Sequence, residues 1–213
     1  VCSSDLSDSG VETREARFVA ETRRKYPLHE YRRLARLMHR LRAVKSEAEV
    51  ALIQKACDIT GDGFRRVARF VAPGVNECEV EAEFINEFVR RRAGFAYTPI
   101  IASGANNNVL HYIQNDQPCR DGDLLLLDVA ANYANYNADL TRTLPVNGRF
   151  TRRQRQVYDA VLRVLRGAMA ELGPSKRMKD WQKASEQLVE KELVELGLLS
   201  MREIRSQDPE DRK

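Results

Sequence analysis

Little in this chain points to a secreted, disulfide-built or membrane-spanning protein. Four cysteines occur, Cys2, Cys57, Cys78 and Cys119, and no two of them form a CxxC pair. Scattered in this way they read as free thiols of a reducing, cytoplasmic compartment. Cys57 and Cys78 fit best as small buried hydrophobes. No apolar run approaches about 18 residues, so no transmembrane span and no membrane partner are expected. The first apolar stretch is too short, and its flanks too polar, for a signal peptide. Charge is plentiful but balanced: 31% of residues are charged and the net charge is only +4. Arg32, Arg33, Arg36, Arg40 and Arg42 are clustered. No glycine-rich loop or aromatic platform accompanies them, so they read as a solvated helix face rather than a nucleic-acid stripe. Repeats are absent too. What remains is a chain whose 43% apolar content supports a real core, in one large domain or one domain plus a fragment.

Residues 1–6, VCSSDL, resemble a translated sequencing-adapter end and are set aside. Residues 7–43 read as a helical tail split by Pro27, expected to belong to an otherwise missing N-terminal domain. From residue 44 the pattern sharpens. Ser46 and Glu49 form a capping-box pair, followed by a stripe of Val50, Ile53, Cys57, Phe64, Val67 and Val71 at helical spacing. Pro73-Gly74 stops that helix. Asn76 caps the next, with Val80, Phe84 and Phe88 facing inward and Gly94 ending it. Strands are expected in TPIIASG, NVLHYI, DLLLLDVAA and YNADLTRTLPV, between residues 97 and 146. Thr151 and Gln154 open a further capped helix, closed by Gly173-Pro174. The last helix runs from about Asp180 to Leu196, with Gly197 as its cap. Two helices, an antiparallel run and two more helices predict an α+β fold with helices covering one sheet face.

The chemistry concentrates in LLLLDVAANYANYNADLTRT. Asp is rarely placed at the end of a leucine run unless it is paired or bound to a cation. A two-residue turn at Tyr133 and Ala134 would set Asp128 directly opposite Asp139 on one side of an antiparallel ladder. Their Cβ atoms would then lie roughly 4.5–5.5 Å apart. Like charges so placed repel, and one or two divalent cations would relieve that. On the second arm Asn137, Asp139, Thr141 and Thr143 share a polar face, opposite Tyr136, Ala138, Leu140, Leu144 and Val146. No Asn-Gly or Asp-Gly pair marks the turn. Taken alone, the pair is equally well an Asp ending a strand and another opening a turn.

Three segments line up beyond that: SGANNNVLHY at 103–112, Asp128, and DLTRTLPVNGRFT at 139–151. Together they closely resemble the pita-bread metallopeptidases of family M24, and most closely their Xaa-Pro aminopeptidase (aminopeptidase P) branch. The resemblance runs from about Ala43 to the C-terminus and includes the gaps of 17 from His111 to Asp128 and 11 from Asp128 to Asp139. It implies a pita-bread fold, in residues 44–213 as an incomplete catalytic domain. It implies two divalent metal ions, with Mn²⁺ favoured by hard oxygen ligands and Zn²⁺, Co²⁺ or Fe²⁺ as alternatives. Asp128 and Asp139 match metal ligands. His111 matches a substrate-side histidine, and Thr141 a threonine that supports the second Asp. Without the resemblance His111 reads as a satisfied imidazole at a strand end. His29 and His39 lie outside the matched region and read as surface residues.

The activity so implied is release of the N-terminal residue from peptides with proline at the second position, through a metal-bridging hydroxide. A homo-oligomer is left open. Ala131 stands where the family often has glycine, and Asn135 replaces a turn glycine, a change that asparagine tolerates. The family's remaining ligands, one His and two Glu, would fall beyond Lys213, so the chain is expected to be a fragment and inactive alone. Two other readings stand beside this one. They are a prolidase-like dipeptidase of the same fold, and a non-catalytic pita-bread module that binds peptides or histones.

Overall fold

The structure, a computed structural model, describes residues 12–200. The segment 1–6, Cys2, the first residues of the 7–43 tail and everything past Ser200 lie outside the described residues. The chain divides into two compact units, one reaching to Lys55 and one starting at Ala56. In the first unit, α1 (Arg14–Lys25) and α2 (Ala35–Ala43) flank Pro27, as expected from its break of the helical pattern. Thr13 caps α1 through Ala16 N. The Tyr31 hydroxyl lies within hydrogen-bond distance of the Thr22 and Tyr26 carbonyls, at 2.9 and 2.8 Å. Arg32, Arg33, Arg36, Arg40 and Arg42 are exposed. No helix among the described residues is long and apolar enough to cross a membrane.

The expected helix starts hold, because caps are local chemistry. At the head of α3 (Glu47–Phe70), Ser46 N donates to Glu49 Oε2 at 2.7 Å. Complete capping boxes open α4 (Glu77–Arg90) at Asn76 and Glu79, and α5 (Arg152–Ala170) at Thr151 and Gln154. α6 (Met178–Glu195) ends in a Schellman turn, with Gly197 at φ 70° and Leu198 N donating to Leu193 O. α4 ends the same way, but earlier than Gly94. Arg92 takes the left-handed position at φ 57° and Ala93 N donates to Phe88 O.

The buried face of α3 differs from the expected stripe in its first half. Ala56, Ile59, Thr60, Gly63, Phe64 and Val67 point inward, whereas Cys57 is exposed. Cys78 is exposed as well, and Cys119 is the buried thiol. The expectation that Cys57 and Cys78 are buried is thus overturned. Each sits one position off a fully buried helix face, where a small thiol has no packing reason to be enclosed. Val80, Phe84 and Phe88 of α4 are buried as predicted. Phe84 stacks edge-on against Phe64 at 5.2 Å and approaches Phe88 at 5.8 Å. Gly63 permits this contact, since a Cβ there would sit 2.9 Å from the Phe84 ring.

Two three-stranded antiparallel sheets complete the core, giving the α+β architecture. β1 (Gly94–Phe95), β4 (Ala131–Tyr133) and β5 (Tyr136–Asn137) form one, in the order β1-β4-β5. β2 (Ile100–Ser103), β3 (Leu124–Asp128) and β6 (Thr141–Pro145) form the other, in the order β2-β3-β6. Ile101, Leu125, Leu127 and Val129 pack with Ile59, Phe64, Val67, Val80, Phe84 and Phe88 in one cluster, so α3 and α4 cover one sheet face. NVLHYI is not a strand. The 3-10 helix (Gly104–Asn108) ends at its first residue and a turn follows, with His111 at φ 51°, a conformation that breaks any ladder.

The hairpin turn falls on Ala134 and Asn135, one residue later than expected. Both have positive φ, 50° and 66°, as a type I′ turn requires. Tyr133 pairs with Tyr136, and the same register continues to Asp128 opposite Thr141. The direct opposition of Asp128 and Asp139 is therefore corrected. Asp139 lies two residues from Asp128's partner, so it keeps the same face and stands on the diagonal. Alanine is strained in the left-handed region, by about 1–2 kcal/mol. Ala134→Gly should therefore stabilise the protein by about 1 kcal/mol, read as a higher urea midpoint at unchanged slope. A lower midpoint would show that the turn does not carry that strain.

Candidate metal centre

Asp128 ends β3, where the leucine run leaves the core, and it is half-buried; Asp139 lies just before β6 and is exposed. Between them the ladder opens. Ala130 turns its carbonyl to Ala96 N at 2.8 Å, and Ala131 N donates to the Thr60 hydroxyl at 2.9 Å. The bond from Ala96 fixes the chain just before Tyr97. Tyr97 Oη then reaches Asp128 Oδ1 at 2.6 Å and Asp139 Oδ1 at 3.2 Å. One phenol thus touches both carboxylates, which brings them to a common point on one face of the hairpin. Burial first, and then the hydrogen bond and charge of Asp128 and the charge of Asp139, hold the Tyr97 phenol above its ordinary pKa.

Tyr97 was not legible as a site residue. The signal available was a lone tyrosine three residues before a strand that pairs with Asp128, in the register Ile100↔Asp128. Thr141 lies directly across the ladder from Asp128. His111 is exposed on the loop after the 3-10 helix, and no hydrogen bond joins it to either aspartate. His29 and His39 are exposed, in the first unit. Among the described residues no group of three or more His, Cys, Asp or Glu side chains is gathered to hold a metal. Two carboxylates converging on one point nevertheless suit a hard divalent cation, which would cancel their mutual repulsion.

A second polar centre lies inside the core. Glu77, at the start of α4, is fully buried. Its carboxylate accepts from Ser103 N (2.8 Å), Asn106 Nδ2 (3.0 Å), Tyr112 Oη (2.7 Å) and Gln117 N (3.1 Å). Burial, followed by the bond to Glu77, pushes the Tyr112 phenol up to about 12. Asn107 ties the 3-10 helix to β3, its Nδ2 donating to Leu124 O at 3.0 Å. Gly104 has φ 57°, and a Cβ there would meet Asp123 Oδ2 at 2.7 Å. The sequence shows Glu77 only as an acidic residue after a helix cap, which hides its role.

The chain is similar to several known proteins. The Xaa-Pro aminopeptidase of Haemophilus influenzae is 37% identical over 164 residues, covering 76% of this chain and 38% of that protein. Xaa-Pro aminopeptidase 3 of Homo sapiens is 36% identical over 171 residues, covering 79% of this chain and 33% of that protein. The chain thus spans well under half the length of these curated relatives. Among solved structures, Pseudomonas aeruginosa aminopeptidase PepP superposes with a TM-score of 0.79 at 33% identity, covering 87% of this chain and 43% of that one. Zinc-substituted Escherichia coli aminopeptidase P in complex with product gives 0.73 at 37% identity, covering 75% and 37%. The helices and antiparallel sheets described above are therefore part of a pita-bread fold. Residues 51–206, from within α3 to beyond α6, match the sequence profile of this group, and the chain belongs to metallopeptidase family M24.

Proposed function

We propose that the chain supplies part of the active site of a metal-dependent aminopeptidase that releases the residue preceding proline. The observation that carries this reading is the convergence of Asp128 and Asp139 on the Tyr97 phenol, in a chain of family M24. The relatives named Xaa-Pro aminopeptidase support the substrate class. Asp128 and Asp139 would hold divalent cations, for which Mn²⁺ suits the oxygen donors and Zn²⁺ is an alternative. When bound, such ions activate water and polarise the scissile carbonyl.

The remaining roles fall to the chain's own side chains. Tyr97 orients both carboxylates by sharing its hydroxyl between them. Thr141 lines the strand opposite Asp128. His111, exposed on its loop, faces the peptide. The exposed thiols of Cys57 and Cys78 fit a reducing compartment such as the cytoplasm.

The test is turnover by the whole Mn²⁺-loaded protein that contains this chain, of an Xaa-Pro peptide and its Xaa-Ala counterpart, with and without chelator. Proline-selective release that chelator abolishes is expected. Equal turnover of the two peptides, or turnover that survives chelation, would overturn the reading. Tyr97→Phe should weaken Mn²⁺ binding about 10- to 100-fold, as loss of a hydrogen bond behind a metal ligand does. Calorimetric titration reads this directly, and unchanged affinity would remove Tyr97 from the site.

A further inference from the structure

We propose that Glu77 is a positioning residue for the reaction, acting through Tyr112 to hold His111 in its working conformation. This rests on the substrate-side reading of His111.

The four donors to Glu77 come from both ends of one loop. Ser103 and Asn106 stand at its entry, Gln117 at its exit, and Tyr112 beside His111. The exit is fastened further to the start of α4. Glu77 N donates to Gln117 O at 3.0 Å, and Asn76 Nδ2 donates to Asp116 O at 3.0 Å. Cys119 N donates to Val75 O at 2.8 Å, while Asn76 bridges Pro118. Between these anchors the loop is bare, with Leu110 93% exposed and His111 exposed as well. Tyr112 alone among residues 108–114 is buried, at 5% exposure.

The consequence is geometric. Drawing Tyr112 inward forces the residue before it to reverse direction, and His111 does so at φ 51°. A non-glycine residue keeps that conformation only where its surroundings impose it. No hydrogen bond of the imidazole itself holds it there, so its aim depends on the Tyr112–Glu77 bond. A carboxylate suits the task. It is acceptor-only and has room for all four donors, whereas an amide at this position would present donors of its own.

The experiment compares Tyr112→Phe, which deletes one hydroxyl and keeps the ring packed, with Glu77→Gln, His111→Ala and the double variant Tyr112→Phe/His111→Ala. Amide hydrogen exchange is followed across residues 104–117, and kcat and KM are measured on an Xaa-Pro peptide. Loss of a hydrogen bond to a buried charge predicts exchange and kcat changes of about tenfold or more in Tyr112→Phe, with metal content little altered and the thermal midpoint lowered by a few degrees. In the His111→Ala background the same change should cost no further turnover, because the two residues act as one unit. Unchanged exchange in both Tyr112→Phe and Glu77→Gln would overturn the clamp. An undiminished loss of kcat in the His111→Ala background would also overturn it, since the effect would then bypass His111. A His111→Ala variant with normal turnover would instead refute the reading of His111, and the positioning role with it.

Discussion

Asp128→Asn and Asp139→Asn should each lose most bound metal and nearly all turnover. Asparagine keeps the shape of aspartate and can still accept from Tyr97. It lacks the charge that draws a divalent cation out of water. Hydrogen-bond partners behind a ligand are worth about 10- to 100-fold in affinity or activity, so a ligand itself should exceed about a hundredfold. A signed second effect separates this from misfolding. In metal-free protein the two carboxylates repel across a shared phenol, so removing one charge should leave the thermal midpoint unchanged or higher. The rise in midpoint on adding Mn²⁺ should vanish in both variants, since a ligand stabilises only the state that binds it. Elemental analysis, turnover and paired melting curves with and without Mn²⁺ measure all three. Full metal occupancy with normal turnover in either variant would sink the ligand assignment.

Phe84→Ala should destabilise the second unit by about 3–5 kcal/mol. Phe84 is fully buried, and its ring fills the space between Phe64, Phe88 and the bare backbone of Gly63. Truncating it opens a cavity bordered on one side by a glycine, which has no side chain to move into the gap. α4 also carries Glu77 seven residues, about two turns, toward its N-terminus, so loss of Phe84 loosens the helix that fastens the His111 loop. Urea unfolding of the variant measures the loss. A change below about 1 kcal/mol would mean that the core collapses around the site instead.

Signals that act over a few residues were legible in the sequence, and those that act at a distance were not. The capping pairs at Ser46, Asn76 and Thr151 are complete within three residues, and each holds. The alternation after the turn put Asp139 on the right face, because period two survives a two-residue change of partner. Direct opposition failed because the turn position depends on which pair of residues accepts positive φ, and Ala134 gives no hint of that. NVLHYI has the composition of a strand. What bends it is Glu77, 35 residues earlier than Tyr112. The first half of α3 misled for a related reason: Val50 and Cys57 keep helical spacing, yet the buried line runs through Ala56, Ile59 and Thr60, where Thr60 meets Ala131 N. Tyr97 escaped notice because its value comes from a register that no local pattern reveals. His111 and Thr141 were legible only through the family resemblance, not through spacing alone.

The turn at Ala134 and Asn135 offers an experimental handle. Both residues are exposed, and Asn135 precedes Asp139 by four positions along an extended arm, about 13 Å of strand. A nitroxide or fluorine probe attached there would ride near the carboxylates without replacing any residue that touches them. Paramagnetic Mn²⁺ seated between Asp128 and Asp139 would broaden the probe's resonance, while diamagnetic Zn²⁺ would leave it sharp. Occupancy, ion identity and exchange between ions could then be followed in solution from one engineered position, independently of any peptide substrate.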